Sequence, residues 1–174
     1  MTNYQGGAVQ QDVSALIDGG IGGVIGTAAM SAVMMAARKT GIMGRQPPEK
    51  LVEKGLDRIG VDRTRETQDA LAVVLHFGFG AAMGAFFGLA YRRLHPSIDA
   101  APAGIIFGSL VWAVSYKGWI PALGVLPPPE RDQPGRQQTM ILAHLVYGST
   151  LGSSLDVAAS LRRKITREAT QSTA

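Results

Sequence analysis

The sequence predicts an all-α fold: four membrane-crossing helices in one bundle, made of two parallel copies of a two-helix unit with a short amphipathic helix in the first loop. Three observations predict it. Long apolar runs recur along the 174 residues, while the charged residues gather in the stretches between them. Each run closes on basic residues or on aromatic residues of the kind that sit at headgroup level. Finally, a cassette of His, an aromatic three residues on, then Gly and a second Gly four further on, occurs twice. Its copies are His76-Phe79-Gly80-Gly84 and His144-Tyr147-Gly148-Gly152.

The first run extends from Val13 to Ala37, carries Asp18 as its one charge, and closes at Arg38-Lys39. About 20 apolar residues are enough to cross ~30 Å of hydrocarbon. Gly19, Gly20, Gly22, Gly23 and Gly26 crowd this run. In a soluble helix each would cost roughly 1 kcal/mol, but in lipid small residues at four-residue spacing let two backbones approach. Residues 1–12 before it, and 165–174 at the other end, are polar and read as flexible tails.

The connection over 40–67 is polar. Within it Pro47-Pro48-Glu49-Lys50 opens a segment that places Leu51, Val52, Leu56 and Ile59 on one side, and Gly60 follows as a stop signal. This predicts the short amphipathic helix, lying on the membrane surface or capping the bundle. The second spanning helix covers about 70–91 and ends in Arg92-Arg93, with the stripe Ala72, His76, Gly80, Gly84, Gly88. After a turn through His95-Pro96, the third covers about 102–120. It carries Gly104 and Gly108, then Trp112, Tyr116 and Trp119 at an interface where Lys117 snorkels to water. The stretch from Pro121 to Arg131 is too rich in proline for a helix. The fourth helix covers about 139–161 and ends in Arg162-Arg163-Lys164, with the stripe Met140, His144, Gly148, Gly152, Asp156, Ser160.

Three features recur in the same order. Gly22/Gly26 corresponds to Gly104/Gly108, Pro47-Pro48-Glu49 to Pro128-Pro129-Glu130, and the His cassette to its second copy. Residues 13–164 therefore read as one membrane domain, with repeat one at about 13–93 and repeat two at about 101–164. Repeats of two helices keep the same orientation and relate by an axis along the membrane normal. His76 and His144 then share one depth, toward the proline-rich loops. Asp18 and Asp156 share another, toward the opposite face, where the compact Arg clusters favour cytoplasmic termini.

The residue inventory excludes several function classes. With no cysteine there is no disulfide, thiolate metal site or cysteine nucleophile. The net charge of +4 sits at the ends of apolar runs, which suits lipid headgroups better than nucleic acid. No serine, histidine and acid are spaced for nucleophilic catalysis, and no glycine-rich phosphate loop opens a helix. The reading is thus a non-enzymatic integral membrane protein without metal or cofactor.

Ionisable residues inside membrane helices are costly and often functional. His76, His144 and Tyr147 form a candidate buried polar site. They serve either as hydrogen-bonded ties between the repeats or as part of a proton or ion pathway. An alternative makes the two imidazoles axial ligands of a b-type haem in an electron carrier. Asp18, Asp156 and Lys117 are candidate proton or ion-pair residues, with Arg162, Arg163 or Arg92 as partner for Asp156. The two Pro-Pro-Glu loops read as rigid turns, or as gates or docking faces. Glycines 22, 26, 80, 84, 88, 104, 108, 148 and 152 are the packing positions. They exceed what four helices need internally, which suggests a homo-oligomer, or an accessory subunit packed on a larger membrane complex.

The C-terminal half carries a further pattern: Gly104 and Gly108, Ser115, Pro121, Gly124, Pro127-Pro128, and His144-Leu145-Val146. Over about 101–163 it resembles the YagU-like family of small bacterial inner-membrane proteins. Where that family tends to carry bulky aromatics, this chain has Tyr147-Gly148-Ser149. The resemblance implies a multi-pass protein of the bacterial inner membrane connected with stress physiology, and it supplies no catalytic residue. Together with the residues themselves it suggests a stress-related or small-solute and proton-permeation role.

Overall fold

The computed structural model describes residues 2–94 and 96–172, and among them every regular element is helical. Helix α1 is Thr2–Lys39, α2 is Pro47–Arg58, and α3 is Arg65–Leu94. Helix α4 runs over Ala100–Ala122, a single turn of 3-10 helix covers Pro129–Arg131, and α5 is Arg136–Ser172. The expected turn residue His95 and tail positions 1, 173 and 174 lie outside the described residues.

Among the described residues three helices are long and apolar enough to cross a membrane: Gly7–Lys39 within α1, Arg65–Leu94, and Ala100–Ala122. The fourth expected span, α5, is not among them. Its position explains its polarity. Helix α5 lies between α1 and α4, and Ala143, Tyr147 and Leu151 are buried by those neighbours. A helix sheathed on two sides needs less apolar surface, so glycine, serine and threonine are tolerated there.

The helices stand in the order α3, α1, α5, α4, with α1 packed on α3 and α5, and α4 packed on α5. Glycines set the close approaches. A Cβ added at Gly23 would stand 3.0 Å from the Gly80 carbonyl carbon and closer still to its oxygen. One at Gly104 would stand 3.0 Å from the Gly152 nitrogen and 3.1 Å from the Gly148 carbonyl carbon. Both contacts put backbone on backbone. They also correct the expected register: Gly23 meets Gly80 and Gly84 as Gly104 meets Gly148 and Gly152, and the α1 residue that stands where Gly108 does is Thr27, against Gly80. Gly22 and Gly26 face α5 instead. A Cβ at Gly22 would meet Leu151 at 3.1 Å and Ser154 at 3.2 Å, and one at Gly26 would meet Tyr147 at 2.9 Å. Sequence spacing cannot choose between Gly19/Gly23 and Gly22/Gly26, because both repeat every four residues and their stripes are adjacent on the helix surface.

Gly80, Gly84 and Gly88 are taken up against α1, and Gly148 and Gly152 against α4. The glycine faces are therefore used inside one chain. The packing glycines named from the sequence thus carry no argument for an oligomer.

Helices α3 and α4 behave differently. They meet sparsely, through Phe86 and Phe87 against Phe107 at ring-centroid distances of 6.2 and 5.1 Å. From there toward the loop end the two helices diverge.

The ends also differ from expectation. Helix α1 continues back to Thr2, where Asp12 pairs with Arg92 and Arg93, and Gln11 accepts from Arg92 at 2.7 Å. Those ties hold a polar stretch in helical form. Helix α5 likewise continues to Ser172, past Lys164, which lies 4.0 Å from Glu168 one turn on. Helix α4 does not stop before Pro121. It widens into a π-helical turn over Ala113–Trp119, with the Ile120 N–H bonded to the Ser115 carbonyl five residues back. A proline ring crowds the carbonyl four residues before it, and an extra residue per turn relieves that crowding.

Gly124 then ends α4 with φ +66°, its N–H on the Pro121 carbonyl at 2.8 Å and the Val125 N–H on the Ile120 carbonyl at 3.1 Å. Gly60 closes α2 the same way, with bonds to the Asp57 and Leu56 carbonyls. This is the glycine cap that left-handed backbone permits.

Candidate functional site

The divergence of α3 from α4 leaves a cavity of about 260 Å³ at the loop end of the bundle. Helix α1 contributes Met30 and Met34, α3 Leu75, His76 and Phe79, and α5 Met140, His144 and Tyr147. Ser115, Tyr116 and Trp119 of the π-helical turn form another wall. Widened turns re-aim side chains and often sit at functional sites. Leu75 and Phe79 line the cavity yet are 54% and 43% exposed. Both stand on α3, so this helix borders the cavity and the outer surface at once.

The structure thus brings together His76, His144 and Tyr147, and each has a different hydrogen-bonding state. Tyr147 donates its hydroxyl to the Gly80 carbonyl at 2.8 Å, tying α5 to α3. His144 Nδ1 lies 2.8 Å from the Met140 carbonyl one turn back. A carbonyl only accepts, so Nδ1 carries the proton and the neutral ring keeps a lone pair at Nε2. His76 Nε2 is buried with no hydrogen-bond partner among the described residues. Buried polar atoms are nearly always paired, so an orphan at a cavity wall calls for a reason.

Helix α2 closes the loop end. Pro47, Pro48 and Leu51 line the cavity, and α2 packs on α3. Pro47 stands at the first helical position, where its missing N–H costs nothing. Glu49 in the first turn accepts from Arg38 at 2.8 Å and from Arg45 at 3.4 Å, and Glu53 accepts from Arg45 at 2.7 Å. The Glu53 hydrogen bond, ahead of the opposing desolvation, raises the Arg45 guanidinium pKa above its ordinary value. From the far end of α2, Lys54 reaches the Gly124 carbonyl at 2.6 Å and Arg58 the Leu123 carbonyl at 3.1 Å. The helix is therefore strapped to the second loop. The second Pro-Pro-Glu stretch takes another form: Pro128 precedes a single 3-10 turn at Pro129–Arg131, with Glu130 exposed. The Pro129 side chain lies outside what the structure describes.

Beside the cavity is a buried ionic network that the sequence reading missed. Tyr116 donates to Asp132 at 2.6 Å, and Arg136 bonds Asp132 at 2.9 Å and Gln133 at 3.0 Å. The Arg136 and Asp132 side chains are 1% and 2% exposed. The one signal in the sequence was the four-residue spacing of Asp132 and Arg136, ordinary for a solvated helix start. Only the first loop folding over it, with Gly44 against Gln133 and Arg136, makes it buried.

The other candidates lie at the opposite end. Asp18 and Asp156 line one polar groove of about 630 Å³ with Tyr91, Arg92 and Arg162. Arg162 pairs with Asp18, Arg92 with Asp12, and Arg163 bonds the Ser160 hydroxyl at 3.3 Å. The cations expected for Asp156 are thus directed elsewhere, because α1 presents its own acids to the same Arg clusters. Lys117 is at the loop end, away from both acids, with its ammonium 5.4 Å from the centre of the Trp112 ring.

With this geometry established, comparison with known proteins places the chain. It belongs to a family of unknown function (DUF6789), whose model matches residues 13–166 and so spans both hairpins. That match carries no link to the YagU-like proteins. No curated protein and no solved structure matches.

Proposed function

We propose that this chain is a non-enzymatic integral membrane protein of four spanning helices that binds a small lipophilic guest in the cavity between α3 and α4. The carrying observation is an apolar cavity walled by His144 and by His76, whose Nε2 is orphaned, with Leu75 and Phe79 of α3 both lining it and exposed. Helix α5 is the fourth span in this reading. It lies antiparallel to α4, backbone on backbone, from Ala100 at Gly152 to Gly108 at His144, so whatever α4 crosses α5 crosses too. The equivalent contacts of Gly23 with Gly80 and Gly104 with Gly148 support two copies of one hairpin. The sparse α3–α4 contact, set against the close α1–α5 contact, breaks their symmetry and makes the room. The resemblance and the basic clusters at the termini favour a bacterial inner membrane with cytoplasmic termini.

Permeation through a single chain has less support. Between the cavity and the polar groove, the glycine zippers put backbone against backbone and leave little room for a path. Haem has less support as well, since the cavity is smaller than the roughly 300–1,000 Å³ of pockets for drug-sized ligands.

Bromonaphthalene, a heavy-atom quencher, tests the reading on purified protein in lipid nanodiscs. With Trp112→Phe as background, Trp119 emission falls saturably, and Ser115→Phe, which fills the cavity, abolishes the saturable part. Quenching that rises linearly and ignores Ser115→Phe rejects a binding cavity.

A further inference from the structure

We infer that the guest is a lipophilic phenol, quinols included, whose ring hydroxyl bonds the paired imidazoles while any tail leaves past Leu75 and Phe79 of α3. The inference rests on the cavity reading above and names the chemistry of its occupant.

The polar atoms choose the head group. His144 has committed its proton to the Met140 carbonyl, so its remaining nitrogen accepts and asks for a donor. His76 Nε2 is unpartnered and, depending on tautomer, asks for either a donor or an acceptor. A hydroxyl donates its one proton to His144 and accepts from His76 in the tautomer that carries its proton on Nε2, so it bridges the two rings. A ketone, ether or ester oxygen only accepts and leaves His144 unpaired. A cation has no carboxylate among the lining residues to balance it. A carboxylate would likewise find an acceptor at His144, where it needs a donor.

The walls choose the body. Four methionines, Met30, Met34, Met83 and Met140, line the cavity together with Phe79 and Trp119. Thioethers pack favourably against aromatic rings and adapt to their outline. At about 260 Å³ the space suits a ring system rather than a ring plus a long chain. A chain has its exit where Leu75 and Phe79 are half exposed, on the loop side of the Phe87–Phe107 contact. A guest of this kind already partitions into the bilayer, so it reaches that side without crossing water.

The test compares 2-naphthol with 2-methoxynaphthalene, in which a methyl group replaces the donor proton, as competitors of bromonaphthalene. Both are corrected for their uptake by protein-free nanodiscs. A buried acceptor left unpaired weakens binding by about tenfold, so 2-naphthol should displace the quencher at about one-tenth the concentration of its ether. His144→Leu should bring the two within about twofold of each other, and His76→Leu should narrow the gap. The wild-type ratio alone decides the matter if either variant fails to fold. Equal displacement by both compounds in the wild type overturns the hydroxyl inference and leaves the cavity reading standing. Displacement by neither, with no saturable quenching, removes the cavity reading itself.

Discussion

Replacing Gly23 with alanine should cost far more than the same change at Gly78, although both glycines lie inside apolar helices. A Cβ at Gly23 would stand 3.0 Å from the Gly80 carbonyl carbon, 3.1 Å from Gly84 Cα, and closer still to the Gly80 oxygen. Ordinary contact begins at 3.4 Å, and the neighbours are backbone, which cannot swing away as a side chain can. Helices α1 and α3 must therefore part, by about 1 Å; gaps of that size forfeit a quarter to a half of the dispersion attraction between facing atoms. Overpacking of a well-filled site costs about 1–3 kcal/mol, and the loss here runs along the zipper, so we expect about 2–3 kcal/mol. At Gly78 an added Cβ meets nothing within 4 Å, so that variant should lie within about 0.5 kcal/mol of wild type. The assay is reversible unfolding in mixed mild-detergent and dodecyl sulfate micelles, followed by tryptophan emission. Gly104→Ala, the equivalent position in the second hairpin, should match Gly23→Ala. If Gly23→Ala and Gly78→Ala unfold together, backbone contact does not hold this bundle and the placement of α1 on α3 is wrong.

Tyr147→Phe removes the hydroxyl bonded to the Gly80 carbonyl and should cost about 0.6 kcal/mol, with roughly 1.7 as a ceiling for such bonds in lipid, in the same assay. Arg136→Leu strands Asp132 in the interior and should cost about 3–5 kcal/mol. Adding Asp132→Leu should recover a large part of that loss, and a double variant worse than the single would contradict the burial of the pair. Lys54→Met with Arg58→Met cuts the straps to the Gly124 and Leu123 carbonyls. Hydrogen–deuterium exchange should quicken across Pro47–Arg58, while global stability falls by only about 1 kcal/mol; unchanged exchange there would show that α2 is held otherwise.

What the residue order settled alone was everything governed by local period and by transfer into lipid. Helical runs, their basic ends, the proline start and glycine stop of α2, and the cassette that sets His76 and His144 on glycine stripes could all be read because each depends on residues within a few turns. The tertiary structure decided which stripe meets which. Helix α1 carries two glycine stripes side by side, and choosing Gly19/Gly23 for α3 and Gly22/Gly26 for α5 is a matter of packing that spacing does not encode. It also decided that α5 is sheathed, that Asp132 and Arg136 are buried rather than solvated, that Asp18 rather than Asp156 takes Arg162, and that α3 and α4 part to make a cavity. Each of these depends on long-range neighbours. A side chain's environment is set by what the rest of the chain lays over it, and a linear pattern holds no record of that.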